Sequence, residues 1–250
     1  MTLKQILYIL AVAVGMSACS PKTWQISSEL STRIPIDNQL DAIADSAYIT
    51  SLQPYKQRID KEMNVVIGQV AQPMKGHAPE SLLSNFSAEV YRSAASTYLK
   101  EKVDISIVNL GGLRTEIPAG NITLRKVFEL MPFENELVIL WLKGDKLQDL
   151  IQFFAKAGGE GELGIRMKIH DGKAEDVTIN GQPLDVNKVY SIATNDYLAG
   201  GNDKMVQLAM YEKRLNTGIK VRNMLLDYIK NETANGHKID ASLDGRISIN

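Results

Sequence analysis

The stretch "SIVNLGGLRTEIPAGNIT", Ser106 to Thr123, decides how this chain is read. With the preceding residues it forms "VDISIVNL", an apolar run rich in β-branched side chains that ends on a glycine pair. Such a run fits a strand buried on both faces. Gly111 and Gly112 break it, Arg114 follows, and a loop with Pro118 leads to Thr123. Thr123 suits the N-cap of a short helix, "LRKVFEL". Arg114 has two readings at this point. It holds a ligand, or it completes a turn as a surface ion-pair residue.

Outward from this segment, strands and helices intermix without strict alternation. A helix is expected from about Asn38 to Met63, with Leu40, Ile43, Ala47, Tyr55, Ile59 and Met63 on one stripe. Pro54 should kink or divide it. "VVIGQVA" reads as a short strand, and "QPMKGHAP" as a loop. Pro79 and Glu80 open a second helix that runs to about Lys102. "NELVILWLKG" is a strong strand, and "GDKLQDLIQFFAKAGG" a helix closed by glycine. "GIRMKIHDGKAEDVTINGQPL" alternates and carries the turn signals "DG" and "NG". "VYSIATNDYLAGG" runs from a strand into a second glycine break. "VRNMLLDYIKNETANG" is a C-terminal amphipathic helix, and "GRISI" a last strand. The pattern predicts an α+β (mixed α/β) single domain, a mixed sheet with flanking helices.

The chain has 250 residues, enough for one substantial core. It is 44% hydrophobic and 23% charged, with a formal net charge of -1. No long run of one sign occurs, so nucleic acid is not an expected partner. The N-terminus is a different matter. "MTLKQILYILAVAVGMSA" has a basic residue, Lys4, and an apolar segment from Ile6 to Val14 that is short for a membrane span. Ser17 and Ala18 precede Cys19, the single cysteine. This arrangement resembles the lipobox of bacterial lipoproteins. It implies a signal peptide over residues 1–18, a lipidated tether over 19–36 and a domain over 37–250. Lipid on Cys19 would anchor a water-soluble domain to the membrane rather than span it.

Several chemistries lack their residues. The three histidines, His77, His170 and His237, form no metal-binding motif. His170 and His237 read as surface loop residues, whereas His77 sits beside the candidate ligand loop. No nucleophile elbow, Walker loop or dinucleotide fingerprint is present. "AGGEGELG", Ala157 to Gly164, lacks the lysine and hydroxyl of a phosphate cradle and reads as a flexible connection. Glu134 and Glu136 alternate at a strand start, either as solvent-facing groups or as an acid–base pair. No catalytic residue and no metal ligand is assigned.

What the chain does have is a pair of glycine breaks after apolar strands, Gly111-Gly112 and Gly200-Gly201. The first offers Asn109 and Arg114. The second offers Asn195, Asp196, Tyr197, Asn202 and Asp203. "MPFEN" supplies Phe133 and Asn135 between them. These types suit a nucleotide: a guanidinium for phosphate, a carboxylate for ribose hydroxyls and aromatic faces for a base. Phe133 and Tyr197 also fit as core residues, and spacing does not choose.

The motifs "NLGGLR", "PAGNIT", "PFEN", "LKGDKL" and "ATNDYLAGGND", in this order and spacing, resemble the C-terminal domain of 5'-nucleotidases and UDP-sugar hydrolases. The resemblance runs from about Asp37 to Asn250, and "YKQRIDKEMNVVIG" is similar to the family's domain opening. It implies a nucleotide-binding domain whose hydrolytic partner domain carries two metals. It assigns Asn109 and Arg114 to ligand contact, Phe133 and Tyr197 to base stacking, Asn135 to a base contact and Asp203 to ribose. Tyr197 stands where phenylalanine is usual. The family's further arginines before the second helix are absent, and Lys75 and His77 are the nearest cations. The chain is short for both domains. The resemblance therefore implies a substrate-binding component that works with a separate metallophosphatase polypeptide, with divalent metals on that partner and none here. Nucleoside monophosphates, nucleosides or UDP-sugars are the implied ligands. The location implied is the bacterial cell envelope, on the outer or cytoplasmic membrane, facing periplasm or exterior.

Overall fold

Strands Ile105–Val108 (β2) and Val189–Asn195 (β9) lie side by side and parallel, with Ile105 opposite Ile192 and Ser106 opposite Ala193. They form the middle of the sheet that carries the molecule. The computed structural model describes residues 2–6, 24–37 and 45–249. Most of the apolar segment Ile6 to Val14 and Cys19 lie outside these residues, as do Leu40 and Ile43 of the proposed stripe. The chain divides into two units at Leu52 and Gln53. Within the first, residues 24–36 are irregular and exposed. Among the described residues, no helix is long and apolar enough to cross a membrane.

Helix α1 (Ser46–Met63) contains Pro54 and buries none of its residues. The expected division at Pro54 does not occur. Proline removes one intrahelical N–H, and on an exposed helix water can satisfy the freed carbonyl of Thr50. Of the apolar stripe expected of this helix, Ala47, Tyr55 and Ile59 are exposed and Met63 is half-buried.

The helix runs on into the second unit, where β1 (Val66–Val70) and α2 (Leu82–Leu99) follow it. Helix α2 starts later than the Pro79-Glu80 signal suggested, because Ser81 caps it: its hydroxyl accepts from Ser84 N while Ser84 Oγ accepts from Ser81 N. After β2 come β3 (Gly120–Thr123) and α3 (Leu124–Leu130), the latter capped by Thr123 as expected. Next are β4 (Glu136–Lys143), α4 (Gly144–Ala157), β5 (Gly161–Leu163), β6 (Ile165–His170), β7 (Lys173–Ile179) and β8 (Gln182–Pro183). After β9 follow α5 (Asp196–Ala199), β10 (Lys213–Lys220), α6 (Val221–Ala234) and β11 (Ile247–Ile249).

The central sheet has the order β10-β4-β9-β2-β5, antiparallel except at β2/β9. Strand β4 explains why both faces need cover. Leu137 and Ile139 pack with α2, α3 and α6, whereas Val138, Leu140 and Leu142 pack with α4 and the second sheet. That second sheet, β11-β6-β7-β8, contributes Met167, Ile169 and Ile247 to the same cluster, and β1 pairs with β3 separately. The result is the expected mixed α/β domain.

Strand β10 is not among the elements read from the sequence. "KRLNTGIK" carries few apolar residues because it lies at the sheet edge, where only β4 pairs with it. The glycine-rich segment 157–164 is a correction of the opposite kind. It is no flexible connection. Its glycines permit close backbone approach. A Cβ on Gly159 (φ +116) would sit 2.6 Å from the Pro79 backbone, and one on Gly161 would sit 2.5 Å from Val108 O. Strand β5 thereby joins the edge of β2.

Candidate functional site

Because β2 and β9 are parallel neighbours, their carboxyl ends open at the same end of the sheet. Ligands in open α/β sheets commonly sit outside the carboxyl ends of strands. Asn109 follows β2 directly, and Asn195 ends β9. Both glycine breaks therefore leave the sheet together.

Their side chains meet. Asn109 is buried, and its Nδ2 donates to Asp203 Oδ2 at 2.6 Å. Tyr197 Oη donates to Asp203 Oδ1 at 2.8 Å. Asn202 Nδ2 donates to the Tyr197 carbonyl at 2.7 Å, which folds the second turn back on itself. Asp203 has φ +52, a left-handed conformation that aspartate adopts more readily than most residues. Beneath it, Asn195 Oδ1 accepts from Leu198 N at 2.8 Å and so caps α5. Tyr91, fully buried beside Asn195, has its phenol pushed up by burial. The hydrogen bond to the Asp203 carboxylate likewise raises the Tyr197 phenol above its ordinary value.

The first turn is anchored from below by Glu160, a residue the sequence reading passed over. Its Oε1 accepts from Leu110 N at 2.6 Å and Gly161 N at 3.2 Å. Burial pushes its carboxyl up, and the nearby Asp203 charge adds to that, against the pull of the two backbone donors. A lone carboxylate inside a glycine-rich run was the available signal. Gly112 is packed against Asn109, whose Oδ1 lies 2.7 Å from where its Cβ would stand. Gly111 has open space around it.

Arg114 is exposed. Its Nη1 donates to the Gly111 carbonyl at 3.0 Å, and it forms no ion pair among the described residues. The surface ion-pair reading does not hold. Its backbone N–H is tied to Leu130 O at 3.0 Å. The loop that carries Lys75 and His77 runs alongside, joined through reciprocal Met74–Ile117 backbone bonds. Both Lys75 and His77 are exposed.

Phe133 is 48% exposed and Tyr197 42%, so neither is a core residue. Phe133 and Asn135 line a shallow cleft with Gly112, Leu113, Met131 and Asn195. The "PFEN" loop is clamped from α6. Arg222 pairs with Glu134, donates to the Met131 and Pro132 carbonyls and lies 4.1 Å over the Phe128 ring. Lys220 Nζ reaches Glu134 O and Glu136 Oε1, each at 3.0 Å. Glu134 and Glu136 are thus both ion-paired, which argues against a free acid–base pair. Val221 N donates to Asn135 O at 2.9 Å. His170 and His237 are exposed beside Glu175 and Glu232. Among the described residues, no group of three His, Cys, Asp or Glu side chains is placed to hold a metal ion.

The fold is a mixed α/β domain with Asn109, Tyr197 and Asp203 joined by hydrogen bonds at the carboxyl ends of two parallel strands. Residues 66–210 match the family model "5'-nucleotidase, C-terminal domain", and the chain belongs to that family. It is 25% identical over 206 residues to a 5'-nucleotidase of Vibrio vulnificus, which covers 80% of this chain and 36% of that protein. It is 30% identical over 185 residues to the NAD 5'-nucleotidase of Haemophilus influenzae, covering 62% of this chain and 30% of the relative. Among solved structures, a 5'-nucleotidase precursor from Thermus thermophilus superimposes with a TM-score of 0.69 at 26% identity, over 80% of this chain and 42% of that one. The chain spans about a third of the length of the curated relatives it matches.

Proposed function

We propose that this chain is the nucleotide-binding component of a split 5'-nucleotidase, acting with a separate metallophosphatase polypeptide in nucleotide catabolism. The observation that carries the reading is the Asn109–Asp203–Tyr197 cluster, which ties an exposed aromatic face to a carboxylate at the mouth of the sheet. In this reading the base stacks against Phe133 and Tyr197, with Asn135 at its edge. Asp203 retains lone pairs to accept from ribose hydroxyls. Arg114, bonded only to a neutral carbonyl, is available to a phosphate. Divalent metals belong to the partner, where they would polarise the phosphoryl group and activate water. A nucleoside monophosphate, a nucleoside or a UDP-sugar is the ligand, and Cys19 carries the lipid that holds the chain in the cell envelope.

A second reading is a surface nucleotide-binding or interaction module with no hydrolytic partner. The exposed Lys75 and His77, in place of arginines, favour it because they make a weaker phosphate site. The two are separated by assaying nucleoside monophosphates with the full chain and divalent metal, with and without a metallophosphatase. The split enzyme gives binding by the chain alone and hydrolysis only with the partner. Robust hydrolysis by the chain alone contradicts it. Binding with no gain on adding the partner supports the module.

A further inference from the structure

A second cleft lies where α2 meets β5 and the segment that leads into β11, and it shares no residue with the Asn109–Asp203 site. It encloses about 420 Å³, within the range of small-molecule sites. A smaller extension of about 170 Å³ continues past Arg92 towards Asn180. Among the described residues, three cations face it, Arg92, Lys102 and Arg246, against two carboxylates, Glu89 and Asp244.

The charges are not equivalent. Arg246 and Asp244 hold each other: Nε to Oδ1 at 3.0 Å and Nη2 to Oδ2 at 2.9 Å. The remaining Arg246 nitrogen donates to Glu162 O at 2.7 Å. Glu80 Oε1 lies 3.8 Å from Arg246 Nε and Arg166 Nη2 lies 3.6 Å from Asp244 Oδ2, so both charges of this wall are already matched. Arg92 differs. Its Nη1 reaches only neutral acceptors, Asn180 Oδ1 at 3.2 Å and Asp104 O at 3.4 Å. Among the described residues, no carboxylate lies within ion-pair distance of it, and none supplies an acceptor to its Nε or Nη2. It is half-buried; burial and then the neighbouring Arg246 charge act against its cationic form, and the Glu89, Glu162 and Asp104 carboxylates act in its favour. A guanidinium that is partly desolvated, has no ion-pair partner and keeps a free fork of donors is the chemistry of an oxyanion receptor. Lys102, also without an ion pair among the described residues, stands at the same cleft. Glu89 makes the opposite pole and suits a donor on the same ligand.

The geometry points to a second binding site, centred on Arg92 and Lys102, for a small polar molecule that bears a phosphate or carboxylate group together with hydroxyl or amino donors. The assignment is independent of the nucleotide reading. It is tested on the full chain with inorganic phosphate and acetate as probes, by following the Arg92 Nε–H resonance. Phosphate should shift it saturably, with a Kd of about 1 mM or tighter, and acetate should bind more weakly. Arg92→Gln, which lacks that resonance and is read by calorimetry beside the wild type, should weaken phosphate at least about tenfold, and Lys102→Ala about threefold, with cooperative unfolding retained. Phe133→Ala should leave it intact, so a failed nucleotide site does not remove this one. A non-saturable shift, an affinity unchanged by Lys102→Ala, or loss of the shift in Phe133→Ala overturns the assignment. If Arg92→Gln does not fold, the Lys102→Ala result decides.

Discussion

The two glycine turns leave the same end of one sheet but are held in different ways. At the second turn, Asp203 is fixed by Asn109 and Tyr197, and Asn202 closes the loop on the Tyr197 carbonyl. At the first, Asn109 and the Leu110 amide are pinned, yet beyond them Gly111 is open and the Arg114 side chain bonds only to Gly111 O. The ribose end of the proposed site is preorganised, and the phosphate end is left free. A rigid acceptor loses little entropy on binding, whereas a mobile cation must be ordered by its ligand.

The sharpest break is Asp203→Ala. It removes a charged acceptor and leaves the buried Asn109 amide without its partner, so nucleoside affinity should fall by about 2–3 kcal/mol, roughly 30- to 150-fold by calorimetry. Phe133→Ala removes one stacking face and should cost about 1–3 kcal/mol of affinity for nucleosides, with little change in unfolding midpoint because the ring is half exposed. The two glycines of the first turn give a direct contrast. Gly112→Ala must shift the Asn109 side chain that holds Asp203 and should cost about 1 kcal/mol of stability, while Gly111→Ala should stay within about 0.5 kcal/mol in urea unfolding. Equal effects at both positions would erase the distinction between pinned and open backbone.

The smallest effect is one of pH. Glu160 binds its proton more tightly folded than unfolded, chiefly because it is buried. Its contribution to stability is therefore complete below the ordinary carboxylate range and is lost as pH rises through its raised value. Glu160→Gln keeps an acceptor for Leu110 N and should flatten that decline in a series of urea midpoints. An unchanged slope would show that Glu160 titrates normally.

Much of this was legible in the sequence where one local signal acted alone. Thr123 capped its helix, and the long apolar run of β4 formed a strand covered on both faces. Elements that depend on neighbours were not legible. Strand β10 exists because β4 offers an edge, and β5 because its glycines let it approach β2 and Pro79. The same division holds in the site. The sequence named Asn109, Tyr197 and Asp203 but not their mutual hydrogen bonds. It missed Glu160 and Arg222, whose roles arise from backbone groups distant in the chain. Pro54 lies inside a continuous helix rather than dividing it; that helix buries none of its residues, and an exposed helix can leave a freed carbonyl to water.

The most direct test of the account is calorimetric titration of the full chain with AMP, beside Phe133→Ala and Tyr197→Ala. The account predicts saturable binding at the Asn109–Asp203 site, weakened about tenfold in each variant by loss of one stacking face. No saturable heat from the wild type, or an affinity unchanged in both variants, would contradict it.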